Sequence, residues 1–319
     1  MLHGVDATVL GMIEVRSAHP VAPADLDAIR ALHRAVTFAD GHEALGATIW
    51  RDLETGGRPG SAGVFAHLDG VLVGYAHVTP SDNVSPPHWE AGIVVEPARR
   101  DGAITAALLD GIVEHVGPRG PGEIVLWIFD PTEADDERTA AAGFAASRDL
   151  LQMRVPLPPA ERARWPEGIT VSRFRPGVDD AAWLTVNNRA FAGHPEQGGW
   201  TESTLEGRMA EPWFDPEGFL VARGTEPSGL AGFCWTKIHP PGSDDAGLGE
   251  IYVIGVDPDH QGTGLGRALT VGGLESLAER GVRTGLLYVD GANARAVGLY
   301  RALGFTVHRR DRAYRREVR

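Results

Sequence analysis

The feature that most constrains this chain is an internal repeat with a constant offset. A β-branched run ends in an acid and a proline at Pro97 and again at Pro258, which is 161 residues later (258 − 97). An Ala-rich stretch ends in Gly-Phe at Gly143 and at Gly304 with the same offset. Two unrelated landmarks that share one offset indicate two copies of one structural unit.

Both copies have the same order of predicted elements. Each begins with a helix and continues with a hairpin, a β-branched strand, a helix, a second strand and an Ala-rich helix. The first hairpin turns at Asp69-Gly70, a dipeptide typical of tight turns. This order predicts an α+β fold with a mixed α/β sheet in each copy. The predicted elements are 25–36, 64–78, 93–97, 104–116 and 123–129 in the first copy, and 179–191, 219–237, 251–258, 265–280 and 285–289 in the second.

The length of 319 residues fits two domains of about 150 residues each. Residues 156–166 contain four prolines, as linkers between domains often do. We therefore predict an N-terminal domain over 1–157, a linker over 158–168 and a C-terminal domain over 169–319.

Composition excludes several partners. A formal net charge of −13 argues against binding to nucleic acid, whose affinity for proteins comes from clustered Lys and Arg. Cys234 is the one cysteine, so the chain has no internal disulfide and no cysteine-based zinc site. The sequence lacks a signal-peptide pattern and an apolar run long enough for a membrane span. We expect a cytoplasmic monomer that acts on a small molecule without a metal.

Gln261-Gly-Thr-Gly-Leu-Gly266 lies between a predicted strand and the helix after it. Glycines let the backbone approach a ligand, and the first N–H groups of a helix attract phosphate. A glycine-rich helix start without a ligand is the simpler alternative. The spacing of the glycines does not fit a Rossmann motif, and Arg267-Ala268 stands where a Walker motif needs Lys-Ser/Thr.

The loop resembles the Gln/Arg-x-x-Gly-x-Gly/Ala loop of the GCN5-related N-acetyltransferases (GNATs), with Gln261, Gly264 and Gly266 in register. Asn293, Tyr300 and Gly304-Phe305 follow at the spacing of that family. The resemblance implies a GNAT fold, with acetyl-CoA as the co-substrate and a tyrosine that protonates the departing thiolate.

Among GNATs, the chain resembles the mycothiol synthases, which contain two tandem GNAT domains, over nearly its whole length. The resemblance is most specific at 186–200, with His194-Pro-Glu-Gln-Gly-Gly-Trp200, and continues at 235–240, 247–258 and 287–290. It implies transfer of an acetyl group from acetyl-CoA to the cysteinyl amine of a cysteinyl-glucosaminyl-inositol (desacetylmycothiol), giving mycothiol and CoA.

The resemblance also assigns site residues. Lys237 is the one lysine among 30 basic residues. A GC-rich genome explains the excess of arginine, and composition alone leaves open whether Lys237 is kept for its compact ammonium. Glu43 is predicted to replace a family acid at Ala47, because residues four apart share a helix face. The implied acceptor-binding residues are Glu43, Glu196, Lys237, Glu250 and Tyr288. The implied acetyl-CoA contacts are Ile93, Val94, Val95, Ile254, Gly255, Val256, Gln261, Gly262, Thr263, Gly264, Leu265, Gly266, Arg267, Asn293, Ala294, Arg295, Ala296, Val297 and Gly298.

Two of these positions suit catalysis. An α-amine titrates near pH 8, so it needs a base before it attacks, and Glu250 is the predicted base. Backbone N–H groups near Gly255-Val256 are predicted to stabilise charge on the thioester oxygen, and Tyr300 to protonate the sulfur. Alternatively, Glu250 is a surface acid at a strand edge, Tyr300 packs in a core, and Glu196 shapes a turn.

The first copy departs from the pattern. Ala103 and Thr105 stand where the mycothiol synthases keep glycines, and Gly102 is out of register. We expect this half to bind acetyl-CoA weakly or not at all, and not to catalyse. Two alternatives stay open: an N-acetyltransferase for another small amine, such as an aminoglycoside or a protein N-terminus, and a non-catalytic pair of ligand-binding or scaffolding domains.

Overall fold

The computed structural model describes residues 13–81, 87–100, 102–193, 197–224, 229–239 and 247–319. The helices in these ranges are α1 Pro23–Asp40, α2 Ala47–Glu54, α3 Ala103–Val116, α4 Glu133–Ala141, α5 Asp180–Ala190, α6 Glu202–Met209, α7 Leu265–Glu279 and α8 Ala294–Ala302. The strands are β1 Ile13–Ala18, β2 Ala62–Leu68, β3 Val71–Pro80, β4 His88–Val95, β5 Gly122–Phe129, β6 Ala145–Pro156, β7 Thr170–Arg173, β8 Phe219–Arg223, β9 Leu230–Ile238, β10 Gly249–Val256, β11 Thr284–Asp290 and β12 Thr306–Val318.

The predicted secondary structure is confirmed in both copies. The first hairpin turns at Asp69 and Gly70, whose φ angles of 51° and 78° both lie in the left-handed region. Two successive positive φ angles give a turn whose twist matches that of the flanking strands, which is why Asp-Gly marks hairpins. Each Ala-rich helix is followed by a glycine with positive φ, Gly143 (77°) and Gly304 (90°).

The chain divides into two compact units. The first consists of the residues up to Asp149 together with Arg310–Arg319. Within it, β1 to β4 pair antiparallel in sequence order, and β4 and β5 run parallel. β5 then pairs antiparallel with Asp311–Val318 of β12. The helix α3 covers one sheet face with Leu108, while α1 and α2 cover the other.

The second unit is Leu150–Arg309 and has the same plan. Strands β7 to β10 pair antiparallel in sequence order, β10 and β11 run parallel, and β11 pairs antiparallel with 150–156 of β6. One face packs against α7 and α8 through a core that contains Leu269, Leu287 and Tyr300. The opposite face packs against α5 and α6 through an aromatic core around Trp183 and Trp235.

Each unit therefore contains the last strand of the other copy. The first copy provides residues 150–156 of β6 to the second unit, and the second copy provides residues 310–318 of β12 to the first unit. The division at 158–168 stays a prediction about how the repeats follow one another along the chain. In this segment Trp165 packs against Gly272 of α7, and Glu161 makes an ion pair with Arg267 at 2.7 Å.

The first unit contains a buried polar network next to α2. The Asp52 carboxylate lies 2.8 Å from Nε2 of His77, and Nδ1 of His77 lies 2.7 Å from the Tyr75 hydroxyl. Burial alone would raise the pKa of Asp52. Hydrogen bonds from His77, Ser61 and the backbone N–H of Arg58 outweigh burial and lower this pKa to about 2.

We expect Asp52→Asn to lower the free energy of unfolding by about 2 kcal/mol at pH 7, the equivalent of the lowered pKa. Because the folded-state pKa is depressed, this stability is present above the unfolded pKa near 4 and is lost as the pH falls towards 2. Denaturant unfolding at several pH values tests this. The difference in unfolding free energy between wild type and variant should disappear between pH 4 and pH 2. A difference that stays constant with pH would contradict the assignment.

Candidate active site

The second unit has a gap between its two parallel strands. Pairing of β10 with β11 extends only from Gly249–Ile251 to Gly285–Leu287. In the ladder with β9, β10 has a bulge between Ile251 and Val253, and it continues to Val256 paired with β9. The side of β10 that faces β11 is therefore outside the parallel ladder beyond Ile251. Such an edge offers backbone N–H and C=O groups to an extended ligand, and the predicted contacts Ile254, Gly255 and Val256 lie on it.

The glycine of this strand has a packing reason. A Cβ at Gly255 would lie 2.8 Å from the ring of Phe233, which is fully buried in the aromatic core. Only glycine fits this close approach. A bulge next to a strand end is a common way to redirect backbone groups at a functional site.

The loop 261–266 leads from this strand into α7. Gly262 and Gly264 have φ angles of 82° and 90°, and a Cβ at either would meet no protein atom within 4 Å. Gly264 is the N-cap residue of α7 and provides no side-chain cap. The open space beside Gly262 and Gly264 thus adjoins the start of α7, where first-turn N–H groups and the positive end of the helix dipole favour phosphate.

The start of the loop is held by ion pairs. Arg189 of α5 binds Asp257 at 3.0 Å and Asp259 at 2.8 Å. Asp257 also accepts a hydrogen bond from the N–H of Asp259, and the Thr263 hydroxyl donates to the carbonyl of His260. These contacts order the backbone before a ligand binds, which lowers the entropy lost on binding.

The helix α8 places the predicted acid. Asn293 caps this helix by accepting a hydrogen bond from the N–H of Ala296. Tyr300 is buried in the core with α7, and its ring centre lies 5.6 Å from that of Phe305. Burial, and to a lesser degree the nearby thiol of Cys234, raise the pKa of Tyr300 well above its usual value. The phenol therefore keeps its proton throughout the physiological pH range. Burial likewise raises the pKa of Cys234 to about 12, which fits the packing role of this thiol.

The predicted acceptor residues of β9, β10 and β11 lie on the sheet face opposite to the one that packs against α7 and α8. Glu250 is directly opposite Lys237 on β9 and opposite Leu286 on β11. Residues that pair across a ladder point to one face, and Tyr288, two residues after Leu286, shares it. Glu250 is 8% exposed, and the Lys237 ammonium lies 5.1 Å from the centre of the Trp213 ring. The structure thus brings Glu250, Lys237 and Tyr288 together on one face.

Three polar residues on this face are absent from the sequence-based set. His239 Nε2 lies 2.9 Å from the Glu250 carboxylate, and both side chains are 11% exposed. Gln152 and Arg154 of β6 face Tyr288 and Leu286 in the ladder. His239 could have been predicted to lie on this face, because residues two apart in a strand point to the same side of the sheet and His239 follows Lys237 by two. No local signal exists for Gln152 and Arg154, because their strand comes from the first copy.

Other predicted residues lie elsewhere. Glu196 is outside the described residues. Glu43 and Ile93–Val95 belong to the first unit. The helical reason given for Glu43 is wrong, because α1 ends at Asp40 and α2 begins at Ala47, so Glu43 lies in the connection between them. A glycine with φ 73°, Gly41, ends the first helix there.

The first unit lacks the chemical groups of the second at matching positions. With the offset of the repeat, Trp89 stands at the position of Glu250 and Thr139 at that of Tyr300. The parallel ladder is also longer in this unit, with five residue pairs from His88 to Gly92.

The interpretation of Gly102 as out of register is wrong. Gly102 has φ 104° and is the N-cap residue of α3, as Gly264 is of α7. With Gly102 matched to Gly264, the first unit lacks the counterparts of Gly262 and Gly266, and these positions are occupied by Arg100 and the buried Ile104. Arg138 lies over Gly102 and donates a hydrogen bond to the carbonyl of Arg100, so this helix start is partly covered.

Within the described ranges, no group of three or more His, Cys, Asp or Glu side chains could hold a metal ion. None of the helices there is long and apolar enough to cross a membrane.

The fold and the comparisons with known proteins place the chain among the acetyltransferases of the GNAT class. The model of the Acetyltransferase (GNAT) family matches residues 184–305. A GCN5-related N-acetyltransferase from Sphaerobacter thermophilus has a similar structure, with a TM-score of 0.75, 26% identity and coverage of 96% of each chain. A tandem GNAT protein from the clavulanic acid biosynthesis pathway has a TM-score of 0.68 at 16% identity and covers 96% of this chain and 98% of its own. The predicted fold class is confirmed.

The mycothiol acetyltransferase of Geodermatophilus obscurus is 43% identical over 307 residues, which cover 95% of this chain and 97% of the relative. The chain therefore belongs to the mycothiol acetyltransferase family, and the resemblance noted in the sequence is confirmed.

Gly264 and Gly102 form a matched pair for testing the glycine loop. Alanine at either position adopts a left-handed conformation that costs about 1–2 kcal/mol, so both variants should lose stability, and Gly102→Ala also requires the Arg138 side chain to shift. Only Gly264→Ala adds a methyl group to the open space at the helix start of the second unit. We expect it to raise the KM for acetyl-CoA about tenfold, equivalent to about 1.4 kcal/mol, while Gly102→Ala leaves this KM unchanged. Equal values of KM in the two variants would contradict binding at this loop.

Proposed function

We propose that the second unit transfers the acetyl group of acetyl-CoA to the cysteinyl amine of desacetylmycothiol, which produces mycothiol and CoA. The observation that carries this proposal is the set of polar side chains on one sheet face beside the gap between β10 and β11. Membership of the mycothiol acetyltransferase family supports the choice of acceptor.

The proposed binding of acetyl-CoA uses the gap and the loop together. The pyrophosphate would lie against the N–H groups at the start of α7, which favour anions. The extended arm of CoA would bond the edge of β10 at 254–256. Residues 293–298 at the start of α8 would complete the surface. The thioester would then lie where the two strands separate.

Glu250 is the proposed base. Its carboxylate takes a proton from the ammonium of the acceptor, directly or through water, and the free amine attacks the thioester carbon. His239, a hydrogen-bond partner of Glu250, holds one carboxylate oxygen in place and leaves the other for the amine. His239 is a positioning residue in this scheme.

The remaining steps need stabilisation of charge and one proton. A backbone N–H near Gly255-Val256 would bond the thioester oxygen as negative charge develops on it. The new N–C bond forms while the C–S bond breaks, and the sulfur takes the proton of the Tyr300 hydroxyl. The attacking nitrogen releases its second proton to water as the amide forms, and the Tyr300 phenolate takes a proton back from water, so the residue is restored for the next turnover. The raised pKa of Tyr300 keeps this proton available.

For the first unit, we propose a structural role without catalysis. Trp89 and Thr139 provide neither a base nor a phenol, and Arg138 covers the helix start at Gly102. Glu43 remains proposed as an acceptor contact of this unit. We further propose that the protein acts as a cytoplasmic monomer without nucleic acid, metal or membrane, in keeping with the net charge of −13.

One assay tests the proposal against its alternatives. Acetyl-CoA is supplied with desacetylmycothiol or with one of a panel of other amines, including an aminoglycoside and a short peptide, and the free thiol of CoA is measured. Turnover with desacetylmycothiol at the highest kcat/KM is expected. Turnover of other amines alone would identify a different N-acetyltransferase, and acetyl-CoA binding without any turnover would identify a binding module.

A further inference from the structure

The exchanged strand β6 places two polar side chains next to an acceptor residue of the proposed site. The side-chain amide nitrogen of Gln152 donates a hydrogen bond to the Tyr288 hydroxyl at 2.7 Å. The Arg154 Nε–H donates to the amide oxygen of Gln152 at 2.9 Å. Gln152 is fully buried, so both ends of its amide need partners.

The chemistry of these groups fixes the direction of the chain of bonds. A guanidinium can only donate, so the amide oxygen of Gln152 must face Arg154. The NH₂ end of the amide must then face Tyr288, and the phenol oxygen accepts. The Tyr288 hydroxyl consequently directs its own proton to a different acceptor.

The hydrogen bonds between Arg154, Gln152 and Tyr288 lie on the same sheet face as Glu250, the proposed base for the acceptor. Arg154 pairs with Leu286, which also pairs with Glu250, so Arg154 and Glu250 lie on one face two strands apart, about 10 Å. Gln152 pairs with Tyr288 in the same ladder and on the same face. A donor at Tyr288 would thus be a short distance from the amine that Glu250 deprotonates.

We infer that Arg154 and Gln152 are positioning residues that orient Tyr288 to donate a hydrogen bond to an oxygen of the acceptor. The inference rests on the proposed function and adds a contact to it, a hydrogen bond from Tyr288 to a hydroxyl, ether or carbonyl oxygen that the acceptor carries beside the reacting amine. It also gives the strand exchange a role in the reaction, since the first copy provides the residues that set the direction of this bond.

Gln152→Glu is the decisive variant, because it keeps the size of the side chain and reverses the direction of the hydrogen bond between this residue and Tyr288. A carboxylate can only accept, so it retains the bond from Arg154 and accepts the proton of Tyr288. Tyr288 can then no longer donate to the acceptor. We expect the KM for the acceptor to rise about fivefold to tenfold, with the KM for acetyl-CoA unchanged. Tyr288→Phe should give a similar rise.

The double variant separates this effect from that of an added charge. Gln152→Glu in the Tyr288→Phe background should raise the KM for the acceptor no further, since the bond is already absent. Arg154→Met should raise this KM less, by about twofold to fivefold, and Arg154→Lys should restore it because an ammonium can still donate to Gln152.

The outcomes are distinguishable. If the wild type acetylates an amine and Gln152→Glu leaves the acceptor KM unchanged, or if its effect adds fully to that of Tyr288→Phe, the inference fails and the proposed function stands. If the wild type acetylates no amine, the proposed function fails and the inference fails with it.

Discussion

Glu250→Gln should lower kcat by about 10²- to 10³-fold, the range that a positioned general base contributes. The substitution keeps the size of the side chain and removes its basicity, so the ammonium of the acceptor keeps its proton and cannot attack. Glu250 lies on the acceptor face, away from the glycine loop, and the affinity for acetyl-CoA should not change. Steady-state kinetics and calorimetric titration with acetyl-CoA measure the two quantities separately.

The loss of activity in Glu250→Gln should also depend on pH. At a pH well above 8 the α-amine of the acceptor is largely deprotonated in solution, so the need for a base decreases. The ratio of wild-type to variant kcat should therefore fall as the pH rises. Glu279→Gln is a suitable control, because Glu279 is an exposed residue at the end of α7. A ratio that is constant with pH would assign Glu250 to binding, and unchanged turnover would remove it from the mechanism.

The fold and the geometry of the proposed acetyl-CoA side of the site could be predicted from sequence because their signals are local. The turn at Asp69-Gly70, the glycines before α7 and the cap at Asn293 each depend on neighbouring residues. Their backbone geometry follows from residue type, and the structure places them as expected. The separation of β10 from β11 lies in the same part of the chain, because the glycine loop follows β10 directly.

The acceptor side could be predicted only in part, because it depends on pairing between distant segments. Gln152 reaches Tyr288 through a ladder between β6 and β11, which are more than 120 residues apart in the chain. The exchange of last strands leaves no trace in periodicity, since β6 and β12 follow equivalent elements in the two copies and have the same strand pattern. His239 is different: it is two residues after Lys237 and could have been found from strand periodicity.

The register error at Gly102 has a similar origin. A constant offset of 161 residues aligns the two copies at Pro97 and Gly143, but α3 begins at 103 and α7 at 265, which are 162 apart. A difference of one residue in the loop moves the glycine by one position. A repeat offset therefore fixes the order of elements, while the conformation of a loop needs its backbone angles.

Tyr300→Phe should lower kcat by about 100-fold at neutral pH, within the range for a general acid. Phenylalanine preserves the packing against Phe305, so the stability should change by less than about 1 kcal/mol. The result distinguishes acid catalysis from packing, since a tyrosine that only fills space would tolerate this change. Tyr314→Phe is the control, because it removes a hydroxyl that donates to Asp136 in the first unit, away from the proposed chemistry.

The dependence on pH gives the stricter test of Tyr300. The wild-type phenol keeps its proton above pH 10 because burial raises its pKa, so wild-type activity should not decline with loss of this proton in the assay range. A departing thiolate needs a proton only below the pKa of an ordinary thiol, about 8.5. The defect of Tyr300→Phe should therefore shrink above that pH. A defect of constant size at every pH would mean that Tyr300 positions the thioester and that the sulfur takes its proton from another source.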